Sequence, residues 1–173
     1  IHYYCKNNNI TNIEDPANIE FVDKDYFIKK GEKTYPVDFD DFNFRISYQV
    51  EKKYNISHKN IEDLLSKWNT TKKIFRYIKR YEYIHPNLPF LIHCSIVKTS
   101  KTKDGNFISQ YNIKDSEVFD SLEHFEIEIE VNNIAIQSNY NSKKDLYTDL
   151  KTTIKYVLIG IQETNFPIQI SQQ

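Results

Sequence analysis

The sequence has few glycines, cysteines and arginines, and it has no methionine. Among its 173 residues are three Gly, two Cys and three Arg. So few glycines exclude a glycine-rich phosphate-binding loop. No apolar run approaches the roughly 18–20 residues of a membrane-spanning helix, so we expect no membrane partner. Two cysteines exclude a disulfide framework and favour a reducing intracellular, cytoplasmic setting.

The charge is nearly balanced, with 23 Lys and Arg against 24 Asp and Glu. This balance disfavours a protein that wraps nucleic acid through an extended basic face, but it leaves a local charged pocket open. The length suits one domain over residues 1–173, with a loop-rich lead-in over 1–25 that contains at most one short strand. Because the sequence starts at Ile1 rather than Met, we expect it to be a piece of a longer protein.

The pattern of apolar residues predicts an α+β fold made mainly of antiparallel strands. A hairpin with a glycine turn is predicted over 26–37. Alternation and β-branched or aromatic residues then predict strands over 42–52, 73–84, 90–98 and 125–131.

Two helices are predicted in addition. Ser57 is expected to cap a short helix that contains Ile61 and Trp68. Apolar residues at helical spacing over 143–162, with Pro167 beyond them, predict a C-terminal amphipathic helix. The segment from Lys101 to Gly105 is expected to be a charged loop.

Glu126, Glu128 and Glu130 lie on one face of the strand predicted over 125–131, because side chains alternate along a strand. Successive carboxylates are then about 6.5–7 Å apart. Their mutual repulsion requires solvent or cations around them. One interpretation is a solvated acidic face, and the other is a site for Mg²⁺ or Mn²⁺, since these ions take carboxylate oxygens.

The three arginines all fall inside predicted strands. Arg45 lies on the polar face of its strand, and Arg76 and Arg80 share a face with Glu82. Guanidinium groups suit bidentate contact with phosphate oxygens. The alternative is that these arginines form structural ion pairs with the glutamates. His93 has no potential metal ligand at a useful spacing along the chain and is more typical of a hydrogen-bonded core residue.

Taken in order, four strands and the helix that follows them resemble the triphosphate tunnel metalloenzymes. The likeness is to the RNA triphosphatase domain of mRNA capping enzymes from large DNA viruses and fungi, and it covers residues 26–167. The segments that carry it are Phe44–Ser47, Arg76–Tyr83, Phe90–Lys98 and, most specifically, Phe125–Val131.

The resemblance implies a closed eight-stranded tunnel-like β-barrel that removes the γ-phosphate from the 5′-triphosphate end of nascent RNA, the first step of cap formation. It implies Mg²⁺ or Mn²⁺ bound by Glu126, Glu128 and Glu130, of which the first two are also catalytic. It further implies a guanylyltransferase domain, expected C-terminally in the same polypeptide, and nucleoside triphosphates as alternative substrates. The residues that it implies as phosphate contacts are Arg45, Arg76, Arg80 and Lys98.

The sequence departs from the family pattern in three places. Ile78 stands where a basic residue is usual, and Leu91 and His93 stand where a basic and then an acidic residue are usual. The family's first motif, a strand with paired glutamates, has no match here, so we expect it upstream of Ile1. Two alternatives therefore stay open: an inactive tunnel domain with a structural or RNA-guiding role, and a hydrolase of polyphosphate or nucleoside triphosphates.

Overall fold

The computed structural model of the protein describes residues 2–5, 19–133 and 143–172. It has a mixed α+β fold in which the paired strands are antiparallel, as predicted. The helices are α1 Lys59–Ser66 and α2 Lys143–Gln162. The strands are β1 His2–Cys5, β2 Ile19–Tyr26, β3 Ile28–Lys29, β4 Glu32–Lys33, β5 Val37–Phe39, β6 Phe44–Ile46, β7 Gln49–Tyr54, β8 Arg76–Ile84, β9 Phe90–Thr99, β10 Thr102–Lys103, β11 Asn106–Phe107 and β12 His124–Val131.

The chain forms two compact units. The first comprises Ile1–Trp68 and Gln169–Gln173, and the second comprises Asn69–Ile168. The first unit contains a three-stranded sheet of order β1-β2-β7, and the second contains one of order β12-β9-β8. The other described strands pair as two-stranded hairpins, and no described sheet closes into a barrel.

The core of the first unit forms where α1 packs against β2. Phe21 and Ile61 are almost fully buried against each other, and three partly buried apolar residues surround them: Tyr54, Leu64 and Leu65. The strand β2 lies in the segment predicted to be loop-rich. Phe21 and its neighbour Val22 are both buried, so β2 lacks the alternation by which a half-exposed strand is recognised.

The strand predicted over 42–52 is interrupted in the structure. Asn43 has a left-handed backbone (φ 52°) after a 3₁₀ turn at Asp40–Phe42, and this conformation does not fit a strand. Strand β6 therefore begins only at Phe44. It ends at Ile46, and after Ser47 and Tyr48 the chain forms the separate strand β7. The hairpin predicted over 26–37 is confirmed as β3–β4, whose turn uses positive φ values at Lys30 and Gly31.

The cap of α1 differs by one residue from the prediction. His58 is the N-cap, and its Nδ1 atom accepts a hydrogen bond from the backbone N–H of Asn60 at 3.3 Å. Ser57 instead donates to the side-chain oxygen of Asn55 from both its backbone N–H and its hydroxyl. The Asn55 side chain thus stabilises a turn before the helix, and the predicted serine cap is replaced by His58.

In the second unit, β9 is the central strand between β8 and β12. The three strands of this sheet agree with the predicted ones, except at the start of β8. This strand begins at Arg76, and Lys73 instead forms an isolated bridge with Gln110. The expected charged loop after β9 is a tight hairpin, β10–β11, which turns through positive φ values at Asp104 and Gly105.

The C-terminal helix α2 has the predicted bounds. Beyond it the Gln162 side chain forms two hydrogen bonds with the backbone of Ile168, next to Pro167. Pro167 is predicted to prevent the helix from continuing, and these two hydrogen bonds also hold the chain in a non-helical turn after Gln162. No helix in the described part of the chain is both long enough and apolar enough to cross a membrane.

The α1–β2 contact predicts a large loss of stability on truncation of Ile61. Ile61→Ala should lower the free energy of unfolding by about 2–5 kcal/mol, because it leaves a cavity against Phe21. Ile28→Ala is the matched control, since Ile28 is 55% exposed and should change stability by about 0.5 kcal/mol or less. Urea unfolding followed by the fluorescence of Trp68, the sole tryptophan, measures both. Equal losses would contradict this assignment of the core.

Candidate functional site

One face of the β12-β9-β8 sheet carries charged residues from all three strands. The register places Glu82, His93 and Glu128 side by side in one row across the sheet. The next row contains Arg80, Ser95 and Glu126. Residues two apart in a strand point to the same side, so Arg76 and Glu130 also belong to this face. We call it the polar face. The side chains on it that concern us are Arg76, Arg80, Glu82, His93, Ser95, Glu126, Glu128 and Glu130.

Two ion pairs cross the central strand on the polar face. Arg76 donates from Nη2 to Oε2 of Glu126, and Arg80 donates from Nη2 to Oε2 of Glu128. Arg80 also donates from Nε to the hydroxyl of Ser95 at 3.3 Å. The structural ion pairs that the sequence left as an alternative are therefore present.

His93 lies at the centre of the polar face and is buried, with its side chain only 5% exposed. Its Nε2 atom is 2.9 Å from Oε2 of Glu82. Its Nδ1 atom is 3.7 Å from Oε1 of Glu130, beyond hydrogen-bond distance, and has no hydrogen-bond partner. A buried polar atom without a partner is unusual in a folded protein, so Nδ1 is the atom of this imidazole at which a further ligand could be accommodated.

The side chains of His93, Glu128 and Glu130 could hold a metal ion, because one ligand atom from each lies within 4.8 Å of the others. The Glu82 carboxylate would accept the Nε2–H of a neutral imidazole and thereby leave the lone pair on Nδ1 for a cation. Carboxylates that orient a ligating histidine in this way are common around metal ions in proteins. The donor set thus fits a divalent cation.

The structure brings together only some of the residues predicted for the site. Arg76 and Arg80 share the polar face with the three glutamates, but Glu126 pairs with Arg76 and is not in the group of potential metal ligands. Lys98 lies on the opposite face of the sheet, opposite Tyr77 in the register. It donates to the carbonyl oxygen of Phe119 at 2.9 Å and lies 3.7 Å from the Glu123 carboxylate.

Arg45 belongs to the first unit and is paired within its own hairpin. Its guanidinium contacts both carboxylate oxygens of Asp38, with Nε 2.6 Å from Oδ1 and Nη2 3.0 Å from Oδ2. The hydrogen bond from Arg45 holds the pKa of the Asp38 carboxyl below its ordinary value. The rings of Phe39 and Phe44 in the same hairpin are stacked, with their centroids 4.6 Å apart.

Sequence reasoning missed the part that His93 and Glu82 play. It sought ligands at fixed spacings along the chain, whereas Glu82 and Glu128 reach His93 from the two neighbouring strands. A usable signal was present, since Glu82 shares a strand face with Arg76 and Arg80, and His93 has the character of a hydrogen-bonded core residue. The register between strands was the missing information.

Comparison with known proteins finds no family model that matches this chain, and no curated protein or solved structure that matches it significantly. The residues of the polar face are therefore the basis for assigning a function.

The pairing of Arg45 with Asp38 predicts a specific change in titration. In Arg45→Ala the pKa of Asp38 should rise towards its ordinary value, because the hydrogen bond that favours the carboxylate is lost. NMR titration of side-chain carboxyl carbons measures this. In the folded wild-type protein the lowered pKa contributes stability at higher pH, which is lost as the pH falls through that pKa.

Asp25 is the internal control for this titration. Its pKa is lowered chiefly by the backbone N–H of Tyr26 and then by Lys33, so it should not change in Arg45→Ala. A parallel rise at Asp25 would point to general unfolding and contradict a local effect.

The donor set of His93, Glu128 and Glu130 predicts a metal-binding defect in His93→Ala. Titration with Mn²⁺, followed by the electron paramagnetic resonance signal of the free ion, should show affinity at least about 10-fold below that of the wild type. His124→Ala is the matched control, because His124 precedes Glu128 by four strand residues, or about 13 Å. Equal affinities in the wild type and His93→Ala would remove His93 from the site.

Proposed function

We propose that the protein is a metal-dependent phosphohydrolase that removes the γ-phosphate from triphosphate-ended RNA, as the resemblance to the tunnel metalloenzymes implies. The observation that carries the proposal is that a potential metal site, His93, Glu128 and Glu130, adjoins two arginines on one sheet face. Cationic groups around a shared point are what a triphosphate requires, since catalysis of phosphoryl transfer depends on positioning and charge neutralisation.

The proposal assigns a role to each charged member of the polar face. A divalent ion held by His93, Glu128 and Glu130 would neutralise negative charge on the phosphate oxygens. Because the set includes an imidazole beside two carboxylates, we favour Mn²⁺ over Mg²⁺. Arg76 and Arg80 would bind phosphate oxygens and fix the γ-phosphate in line for attack by water. They must first release their present partners.

Glu126 is proposed to orient the attacking water and to accept its proton. It lies outside the group of potential metal ligands, so its carboxylate would not be occupied by the metal ion. Its present partner is Arg76, and binding of a phosphate by Arg76 would leave Glu126 free to act. The bond from the γ-phosphorus to the β–γ bridging oxygen would break, and the products are inorganic phosphate and diphosphate-ended RNA.

The finer fold and the partners belong to the same proposal. We propose that the β12-β9-β8 sheet is one wall of a tunnel and that the polar face is its inner surface. We further propose that a guanylyltransferase in the same polypeptide receives the diphosphate-ended RNA. Lys98 is left out of the proposed site because its side chain is on the other face. A role for Arg45 in phosphate binding stays a prediction.

A second candidate is an inactive domain with a structural or RNA-guiding role. It is favoured by the two ion pairs, because Arg76 and Arg80 are already satisfied by Glu126 and Glu128. The apolar residues Ile78 and Leu91, which stand where the family usually has polar ones, point the same way. The two candidates differ in whether any substrate is turned over.

Release of labelled phosphate from γ-³²P RNA in the presence of Mn²⁺ tests the proposal. Glu128→Gln should lower the rate of phosphate release by at least about 100-fold. It removes the negative charge of a metal ligand and leaves the Arg80 guanidinium without its carboxylate partner. Glu123→Gln is the matched control, since Glu123 is exposed and pairs with Lys98 away from the polar face. No release by wild-type protein would favour the inactive domain.

A substrate panel separates the remaining alternative. RNA ends, nucleoside triphosphates and inorganic tripolyphosphate should be compared at equal concentration with the same metal. Preference for RNA supports the proposal, whereas turnover of tripolyphosphate or nucleoside triphosphates alone would contradict it in favour of a polyphosphate or nucleotide hydrolase.

A further inference from the structure

Glu128 takes part in two arrangements that cannot both be complete. It belongs to the group of potential metal ligands with His93 and Glu130, and it accepts the hydrogen bond from Arg80. A carboxylate that donates electron density to a divalent cation interacts less strongly with a guanidinium group. In addition, the cation repels the positively charged guanidinium of Arg80, which is hydrogen-bonded to the same carboxylate.

The second ion pair on the polar face is a natural comparison. Arg76 lies in the same strand as Arg80, and its side chain is exposed to a similar degree, 45% against 37%. Its partner Glu126 is not one of the potential metal ligands. Cation binding therefore competes directly with Arg80 and only through longer-range repulsion with Arg76.

The cluster offers more than acidic residues. The Nδ1 atom of buried His93 faces it without a hydrogen-bond partner. This observation is independent of the carboxylates and points to a cation as the missing partner. The carboxylate of Glu128 is the ligand for which that cation and Arg80 would compete.

We propose that Arg80 is exchanged between two partners, Glu128 and a phosphate group of the ligand. Without metal, Arg80 neutralises Glu128. When metal binds, the guanidinium is released and becomes available to a phosphate oxygen. Metal and anion therefore strengthen each other's binding, and this coupling is reciprocal. The inference rests on the metal site of the proposed function and adds the order in which its parts assemble.

Mn²⁺ affinity without any nucleotide tests the exchange, because it requires no turnover. Arg80→Gln should bind Mn²⁺ about two- to fivefold more tightly than the wild type, since an exposed competing ion pair is removed. Arg76→Gln measures the effect of removing one positive charge from the same face, and its gain should be smaller. Both side chains are well exposed, so both variants should fold, and circular dichroism checks this.

Sulfate serves as the probe for the anion, at constant ionic strength against chloride. It should raise the Mn²⁺ affinity of the wild type, and this gain should be lost in Arg80→Gln. If the wild type binds Mn²⁺ but both arginine variants gain equally, or if sulfate acts equally on all three proteins, the exchange is wrong while the metal site stands. If the wild type binds no Mn²⁺, both the exchange and the proposed function fail.

Discussion

The arrangement of the polar face depends on the antiparallel register of β9 between β8 and β12. This register puts Glu82 and Glu128 on either side of His93, and Arg80 and Glu126 on either side of Ser95. A shift of one residue in either outer strand would move its charged side chains to the other face of the sheet. The ion pairs, the burial of His93 and the potential metal site all require the same alignment.

The charges of the polar face do not cancel among themselves. Four carboxylates, from Glu82, Glu126, Glu128 and Glu130, face two guanidinium groups, which leaves two negative charges when His93 is neutral. Solvent screens much of this excess, because the glutamate side chains are 39–50% exposed. A divalent cation carries the charge that would balance it. The near-neutral chain therefore contains a locally acidic face, as its composition alone does not reveal.

Elements with regular patterns could be predicted from the sequence. Alternation in β12 and helical spacing in α2 gave their types and nearly their bounds. Prediction was poorer where the backbone conformation of one residue sets a strand boundary. The left-handed conformation of Asn43 excludes this residue from a strand, although the segment alternates without a break. The polar face was foreseen as glutamates near arginines, but the contribution of His93 was not. Periodicity within a strand shows on which face of the sheet a side chain lies. Which residues of the adjacent strands lie beside it depends on the pairing of distant segments.

The central strand of the β12-β9-β8 sheet tolerates fewer amino-acid substitutions than the two outer strands. His93 and Ser95 in β9 are buried, so most substitutions there would leave a cavity or an unpaired polar group. The glutamates and arginines of β8 and β12 are half-exposed, and replacing one costs little packing. Divergence can therefore alter the chemistry of this face through its outer strands, at little risk to folding. In related chains we would expect β9 to vary least, even where the activity has changed.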